Sequence, residues 1–249
     1  MMASVREESE IVNIGGRDLA FVFPNSGNAK MHFQNILQGS DYPPLPDKWW
    51  TFSPTAIIDV GANVGATAFC FRQRYPEAPI YCFEPAAGNL KYLERNARLL
   101  DNVTVIPFGL YAEDLNANLF HGNVQCLQHS IFQSPEVNSA DSEPIRLHDA
   151  LEALRDKLVG RCILKIDTEG CEVPILRRIE PLLPNVDVIY LEYHHEQQRR
   201  LIDQMLPSYS VLSSTSKFLH RGNVMYGSER LVAEHPQLNS WGLTLPSGY

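Results

Sequence analysis

Several short stretches of the chain are almost continuously apolar: Ala56–Val60, Ile80–Phe83, Val103–Ile106, Cys162–Ile166 and Val186–Leu191. Runs of this length without polar alternation suit strands buried on both faces, as in a parallel sheet. Between them the period changes. Leu90, Leu93, Ala97 and Leu100 share one helical face. Leu151, Leu154 and Leu158 repeat that spacing, and Leu176, Ile179 and Leu183 follow it less cleanly. Alternating strands and helices predict a doubly wound α/β domain with a mostly parallel sheet. In such sheets ligands bind at the carboxyl ends of the strands, near the switch point. Chemistry is therefore expected just after each apolar run.

Outside this alternation, the pattern predicts a hairpin at each end. The first runs Ile11–Ile14, a Gly15-Gly16 turn, then Leu19–Phe23. The second runs Tyr209–Leu212, then Phe218–His220, a turn at Arg221-Gly222-Asn223, and Val224–Tyr226. Phe33, Tyr42, Pro43, Pro44, Pro46, Trp49 and Trp50 mark an aromatic, proline-rich stretch between the first hairpin and the first core strand. Residues 133–144 read as a polar loop. The expected organisation is an N-terminal cap over 1–54, an α/β domain over 55–235, and a tail over 236–249.

Composition narrows the class. The 249 residues are 44% hydrophobic and 20% charged, ordinary values for a soluble globular chain. A net charge of −8 disfavours nucleic acid and anionic membrane, which want a basic surface. Cys70, Cys82, Cys126, Cys162 and Cys171 form no CxxC pair and mostly sit in or beside apolar runs. They read as reduced, buried thiols. The N-terminus has no apolar signal region, and no apolar run approaches membrane-spanning length. The expected setting is cytoplasmic, with a homodimer as the possible self-association.

The chemistry begins after the first apolar run, at Asp59-Val-Gly61-Ala62-Asn63-Val-Gly65, which opens a helix to about Tyr75. Glycine lets the backbone turn tightly and approach a ligand. A helix N-terminus attracts a carboxylate, and Asp59 can attract an ammonium group. Glu84, in Phe83-Glu84-Pro85, stands at the roughly 20-residue distance suited to ribose hydroxyls. The bland alternative is an ordinary tight strand–helix turn. The GxGxxG fingerprint is missing, since Asn63 and Ala66 occupy its later positions. That disfavours NAD and FAD, and no GxxxxGK[ST] motif is present.

Taken with Leu164-Lys-Ile-Asp-Thr-Glu-Gly-Cys-Glu, these motifs make the sequence similar to the FkbM family of S-adenosylmethionine-dependent methyltransferases, over about residues 55–195. The resemblance implies a Rossmann-like class I methyltransferase sheet of seven strands whose last two form an antiparallel hairpin. It implies S-adenosylmethionine as cofactor and O-methylation of natural-product or sugar hydroxyls. By position, Asp59, Gly61, Ala62, Asn63, Gly65, Glu84 and Pro85 match cofactor residues. Cys171 departs from the family's usual alanine and reads as a packing change. The first 54 residues match nothing in the family and are expected to hold specificity.

A hydroxyl acceptor needs a base. Two groups at strand ends offer one. In Lys165-Ile-Asp167-Thr-Glu169-Gly170, Lys165 and Asp167 point the same way along a strand. The bland alternative has Asp167 and Glu169 capping the next helix. In Glu192-Tyr193-His194-His195, histidine supplies a group that titrates near neutrality. Its bland alternative is a capping or surface pair. The expected roles are His194, His195 and Asp167 in catalysis, with Glu169 and Glu192 on the substrate. His32 could face the substrate too. A metal held by Asp167, Glu192 and a histidine is conceivable. The local pattern of the magnesium-using catechol-type methyltransferases is absent, so no metal is expected. N-methylation, or cofactor binding without catalysis, remain the rival readings.

Overall fold

The structure, a computed structural model, describes residues 6–25, 29–45, 52–122, 129–132, 137–218 and 221–235. In chain order these form β1 (Glu7–Ile14), β2 (Arg17–Pro24), α1 (Ala29–Leu37), β3 (Ala56–Val60), α2 (Ala66–Arg74), β4 (Ile80–Phe83), α3 (Ala87–Ala97) and β5 (Val103–Ile106). Then come β6 (Gly109–Tyr111), β7 (Leu115–Gly122), β8 (His129–Ser130), β9 (Val137–Asp149), α4 (Ala150–Leu154), β10 (Cys162–Ile166), α5 (Glu172–Arg178) and a 3-10 turn over Glu180–Asn185. β11 (Val186–Tyr193), α6 (Glu196–Met205), β12 (Tyr209–Phe218), β13 (Arg221–Ser228) and α7 (Glu229–Glu234) complete the described chain.

The central sheet has seven strands in the order β12-β13-β11-β10-β3-β4-β5. β11, β10, β3, β4 and β5 are parallel, while β13 runs against both β11 and β12. The predicted doubly wound, seven-stranded fold with a C-terminal hairpin is therefore present. β3, β10 and β11 are buried along their whole length, which is why their sequences do not alternate. Their side chains still divide by face. Ile57 and Ile163 pack on one side of the sheet, and Ile58, Leu164 and Ile189 on the other.

α2 explains the N-terminal cap. Its residues from Ala66 to Arg72 are all buried, so only its last two residues reach solvent. The β1–β2 hairpin and α1 cover it. Phe21 packs edge-on against both Phe33 and Phe69, with ring centroids 5.8 and 5.2 Å away. Each buried aromatic here contributes roughly 1.5–3 kcal/mol of transfer free energy.

Parts of the sequence reading are corrected. Residues 137–144, expected in a polar loop, lie in strand β9, which pairs with β7 in a four-stranded sheet ordered β6-β9-β7-β8. The rest of that predicted loop, 133–136, lies outside the described residues. Arg221, Gly222 and Asn223, expected as a turn, open β13 and pair with β11 and β12. A Cβ on Gly222 would sit 2.1 Å from the Thr215 carbonyl, so its glycine serves close strand approach. Cys70, Cys82, Cys162 and Cys171 are free and buried. Cys126, Pro46, Trp49, Trp50 and the tail from Pro236 lie outside the described residues. No helix among the described residues is long and apolar enough to cross a membrane.

Candidate active site

The chain leaves β3 toward β4 and β5, then returns to β10 and β11 on the other side. The switch point thus lies between β3 and β10. A cavity of about 680 Å³ opens there, within the roughly 300–1,000 Å³ typical of small-molecule sites. One end lies over β3 and β4, with Gly61, Asn63, Glu84, Pro85 and Asn89. The other lies over β10, β11 and the start of β13. Leu110, Leu119, Ile145 and Leu147 form an apolar wall. That wall belongs to the four-stranded sheet the sequence did not reveal.

The glycine turn is built as its residues require. Gly61 has φ +80°, and a Cβ there would lie 1.8 Å from the Asp167 carbonyl oxygen. Only glycine lets β3 pass that close to β10. Asn63 adopts φ 51°, a left-handed conformation asparagine tolerates. Glu84 holds this shape. Its Oε2 accepts a hydrogen bond from the Asn63 backbone N–H at 2.8 Å. Its Oε1 accepts from the Ala86 N–H at 3.0 Å and from Asn89 Nδ2 at 3.2 Å. Burial raises the Glu84 carboxyl, and these donors oppose that shift. Glu84 therefore clamps the turn while lining the cavity.

The other end is charged. Asp59 and Lys165 are register partners on adjacent strands, both almost fully buried. Lys165 Nζ lies 3.0 Å from Asp59 Oδ1, an ion pair that leaves neither Asp59 oxygen with a well-formed hydrogen bond. Lys165 also donates to the Gly61 carbonyl at 2.6 Å. Tyr42, from the N-terminal cap, donates its hydroxyl to Asp167 Oδ2 at 2.5 Å. Burial alone would raise the Asp167 carboxyl. The Lys165 charge and hydrogen bonds from Glu192 and Tyr42 outweigh it and hold Asp167 well below the usual range. Burial and the Asp167 charge hold Glu192 well above that range, so this close pair shares one proton. Arg221 bridges Glu192 Oε1 at 2.8 Å and Glu169 Oε1 at 2.9 Å.

Glu172 fixes the loop between β10 and α5. It is fully buried and accepts from the Thr168 N–H at 2.8 Å, Thr168 Oγ1 at 3.0 Å and Gln198 Nε2 at 2.7 Å. It also takes the Gly170 N–H, at 3.1 Å to Oε2. Its own helix thereby holds Glu169 at φ 55°, facing the cavity. The alternative reading, that Asp167 and Glu169 cap the next helix, does not hold: α5 begins after Cys171 with no side-chain cap, and Glu172 holds the loop before it.

The expected site residues divide. Gly61, Ala62, Asn63, Glu84, Pro85, Asp167, Glu169 and Glu192 line the cavity together, and His32 joins them. Asp59 does not, because Lys165 occupies its outward side. Gly65 does not either. At φ +92° it caps the start of α2, and a Cβ would meet Leu93 at 2.9 Å. His195 is exposed and accepts from the Gln198 N–H through Nδ1 at 3.1 Å, so it caps α6. His194 sits behind the lining, 3.7 Å from Glu172 and 3.9 Å from Glu192. Burial lowers it, yet Glu172 and Glu169 outweigh that and favour the imidazolium. Glu169, Glu192 and His194 each bring a ligand atom within 4.8 Å of the others, but Arg221 already holds one oxygen of each carboxylate. Tyr42, Arg221 and Asn223 were missed. Two stood in a segment read as a turn, and Tyr42 reaches Asp167 across 125 residues.

A family profile described as the methyltransferase FkbM domain matches residues 59–214, more than half of the chain. The chain belongs to the FkbM methyltransferase family. A methyltransferase 1 of Beauveria bassiana (strain ARSEF 2860) is 27% identical over 162 residues, 56% of this chain and 62% of that protein. The methyltransferase sdnD of Sordaria araneosa is 28% identical over 155 residues, 50% of this chain and 60% of that protein. The chain spans about three fifths of the length of these relatives. A solved FkbM methyltransferase from Methylobacillus flagellatus KT shares the fold, with a TM-score of 0.53, 15% identity, and coverage of 76% of this chain and 47% of that one.

Proposed function

We propose that this FkbM-family chain transfers the methyl group of S-adenosylmethionine to a hydroxyl of a small molecule. The observation that carries the reading is the Glu84 clamp on Asn63 beside the carboxylate end of the same cavity. The residues fit the cofactor. The N-terminus of α2 suits its carboxylate. Asn63 keeps a buried Oδ1 at the turn with no partner among the described residues, an acceptor for the ammonium group. The apolar wall of Leu110, Leu119, Ile145 and Leu147 suits a flat base. When bound, the sulfonium supplies an activated methyl carbon.

The chain's own residues then position the acceptor and take a proton. Asp167 is the expected proton acceptor that lines the cavity. Lys165 and Tyr42 keep it ionised and fixed in direction. Glu192, carrying the shared proton, hydrogen-bonds to it. His194 acts from behind, as the partner that keeps Glu172 charged. The solvent-facing cap role of His195 gives it no part in the reaction.

Calorimetry tests the cofactor half of the reading. Wild type should bind S-adenosylmethionine with micromolar affinity, and Glu84→Ala should lose binding. No binding by wild type would sink the proposal.

A further inference from the structure

The end of the cavity over β10, β11 and β13 is crowded with hydrogen-bond acceptors. In and directly beneath it stand Asp59, Asp167, Glu169 and Glu192, against the cations Lys165 and Arg221. Lys165 is committed to Asp59 and the Gly61 carbonyl. Arg221 takes Oε1 of both glutamates. Glu192 carries the proton it shares with Asp167, and the Glu169 Oε2 lies 3.6 Å from His194 Nδ1. With Glu192 protonated, Asp59, Asp167, Glu169 and the buried Glu172 face Lys165, Arg221 and the His194 imidazolium, so one negative charge is left over. Burial and the Asp167 charge push Glu169 up to about 7, in keeping with that excess.

Carboxylates in a cleft do not by themselves define a ligand. Asn223 is the independent observation. It is 9% exposed, lines the cavity and stands directly opposite Glu192 in the β11–β13 ladder. Opposed residues of an antiparallel pair leave the same face of the sheet. The Asn223 Nδ2 donates to the Asp41 carbonyl at 3.3 Å, which sets the orientation of the amide. Its Oδ1 has no hydrogen-bond partner among the described residues. A buried amide oxygen without a donor is costly, and a donor on the ligand removes that cost.

We propose, resting on the methyl-transfer reading above, that the acceptor is an amino alcohol or amino sugar. Its ammonium is held by Glu169 and the Asn223 Oδ1, and its neighbouring hydroxyl is methylated. An ammonium offers three donors and no acceptor, which suits a carboxylate beside an amide oxygen. It anchors and does not attack, because a proton occupies its lone pair. The hydroxyl oxygen attacks the methyl carbon and the O–C bond forms as the C–S bond breaks. The hydroxyl proton passes to Asp167, and S-adenosylhomocysteine leaves. His32 and Tyr42 form the side of this chamber supplied by the N-terminal cap.

The test uses the full chain, methyl-labelled S-adenosylmethionine, and a small-molecule cell extract split by ion exchange into basic, neutral and acidic pools. Each pool is run with and without a chelator. The expected result is label in the basic pool, unaffected by chelator, with the methyl on oxygen by mass fragmentation. Label confined to the neutral or acidic pools overturns the amine anchor and leaves methyl transfer standing. Neutral-pool label abolished by chelator gives the same oxygens to a divalent ion and also overturns it. A methyl on nitrogen overturns the anchoring role. Label in no pool counts against small-molecule methyl transfer itself, and the inference falls with it. On the labelled amine, Asn223→Leu should raise KM about tenfold, the loss of one hydrogen bond to a charged group. Little change is expected in kcat or in S-adenosylhomocysteine affinity. An unchanged KM would remove Asn223 from the anchor.

Discussion

At the scale of single residues, the site is governed by who neutralises whom. Asp59 was read as a group reaching for a ligand, and it instead sits under the cavity with Lys165. The sequence places a lysine and an aspartate at matching strand positions, but not the register that joins them. Glu169 shows what incomplete neutralisation does. Its carboxyl has an ordinary value near 4.5 and is raised to about 7 in the fold, by burial first and the Asp167 charge second. Between those values the native state binds more protons than the unfolded chain. Stability therefore falls as pH rises through that window. Glu169→Gln removes this dependence while keeping a partner for Arg221. The variant's melting temperature should gain on wild type between pH 5 and pH 8, as read by calorimetric melts at both. A constant difference across that range would show that Glu169 does not titrate there.

At the scale of elements, the buried strands were legible because burial on both faces removes alternation, and β3, β4, β10 and β11 fall on the expected runs. The glycine turn was legible because positive φ and close approach leave few residue choices. β7 and β9 were not. Asn116, Asn118, Ser142, Glu143 and Pro144 give them a polar texture, and their order comes from pairing with each other. The same limit hid the hairpin residues Arg221 and Asn223, whose Gly-Asn signature matches a turn. Glu172 links two elements, α5 and α6, through one carboxylate. Glu172→Ala leaves the Thr168 and Gly170 N–H groups and the Gln198 amide without their buried acceptor. It should destabilise by roughly 3–5 kcal/mol, the range for removing one partner of a buried charge network. Urea unfolding measures this. Glu172→Gln should recover part of the loss, since Gln keeps an acceptor oxygen.

At the scale of the whole molecule, the cap is tied to the core at the glycine turn and at the charged end of the cavity. Asn96, fully buried on α3, accepts from the Val22 N–H at 2.9 Å and donates to the Val22 and Val64 carbonyls, each at 2.8 Å. One amide thus joins strand β2 of the cap to the turn that begins at Gly61. Across the cavity, Tyr190 donates to the Pro43 carbonyl at 2.7 Å, and Tyr42 to Asp167. The cap therefore shapes both ends of the site, and loosening it should be felt at the turn. Asn96→Ala orphans three buried backbone groups and should cost roughly 3 kcal/mol or more, at about 1–3 kcal/mol per unsatisfied group. If the turn depends on the cap, S-adenosylmethionine affinity should also fall under conditions where the variant is still folded. Circular dichroism establishes folding and calorimetry the affinity. Full affinity in a folded but destabilised Asn96→Ala variant would mean that Glu84 alone sets the turn, and that the cap acts on the charged end only.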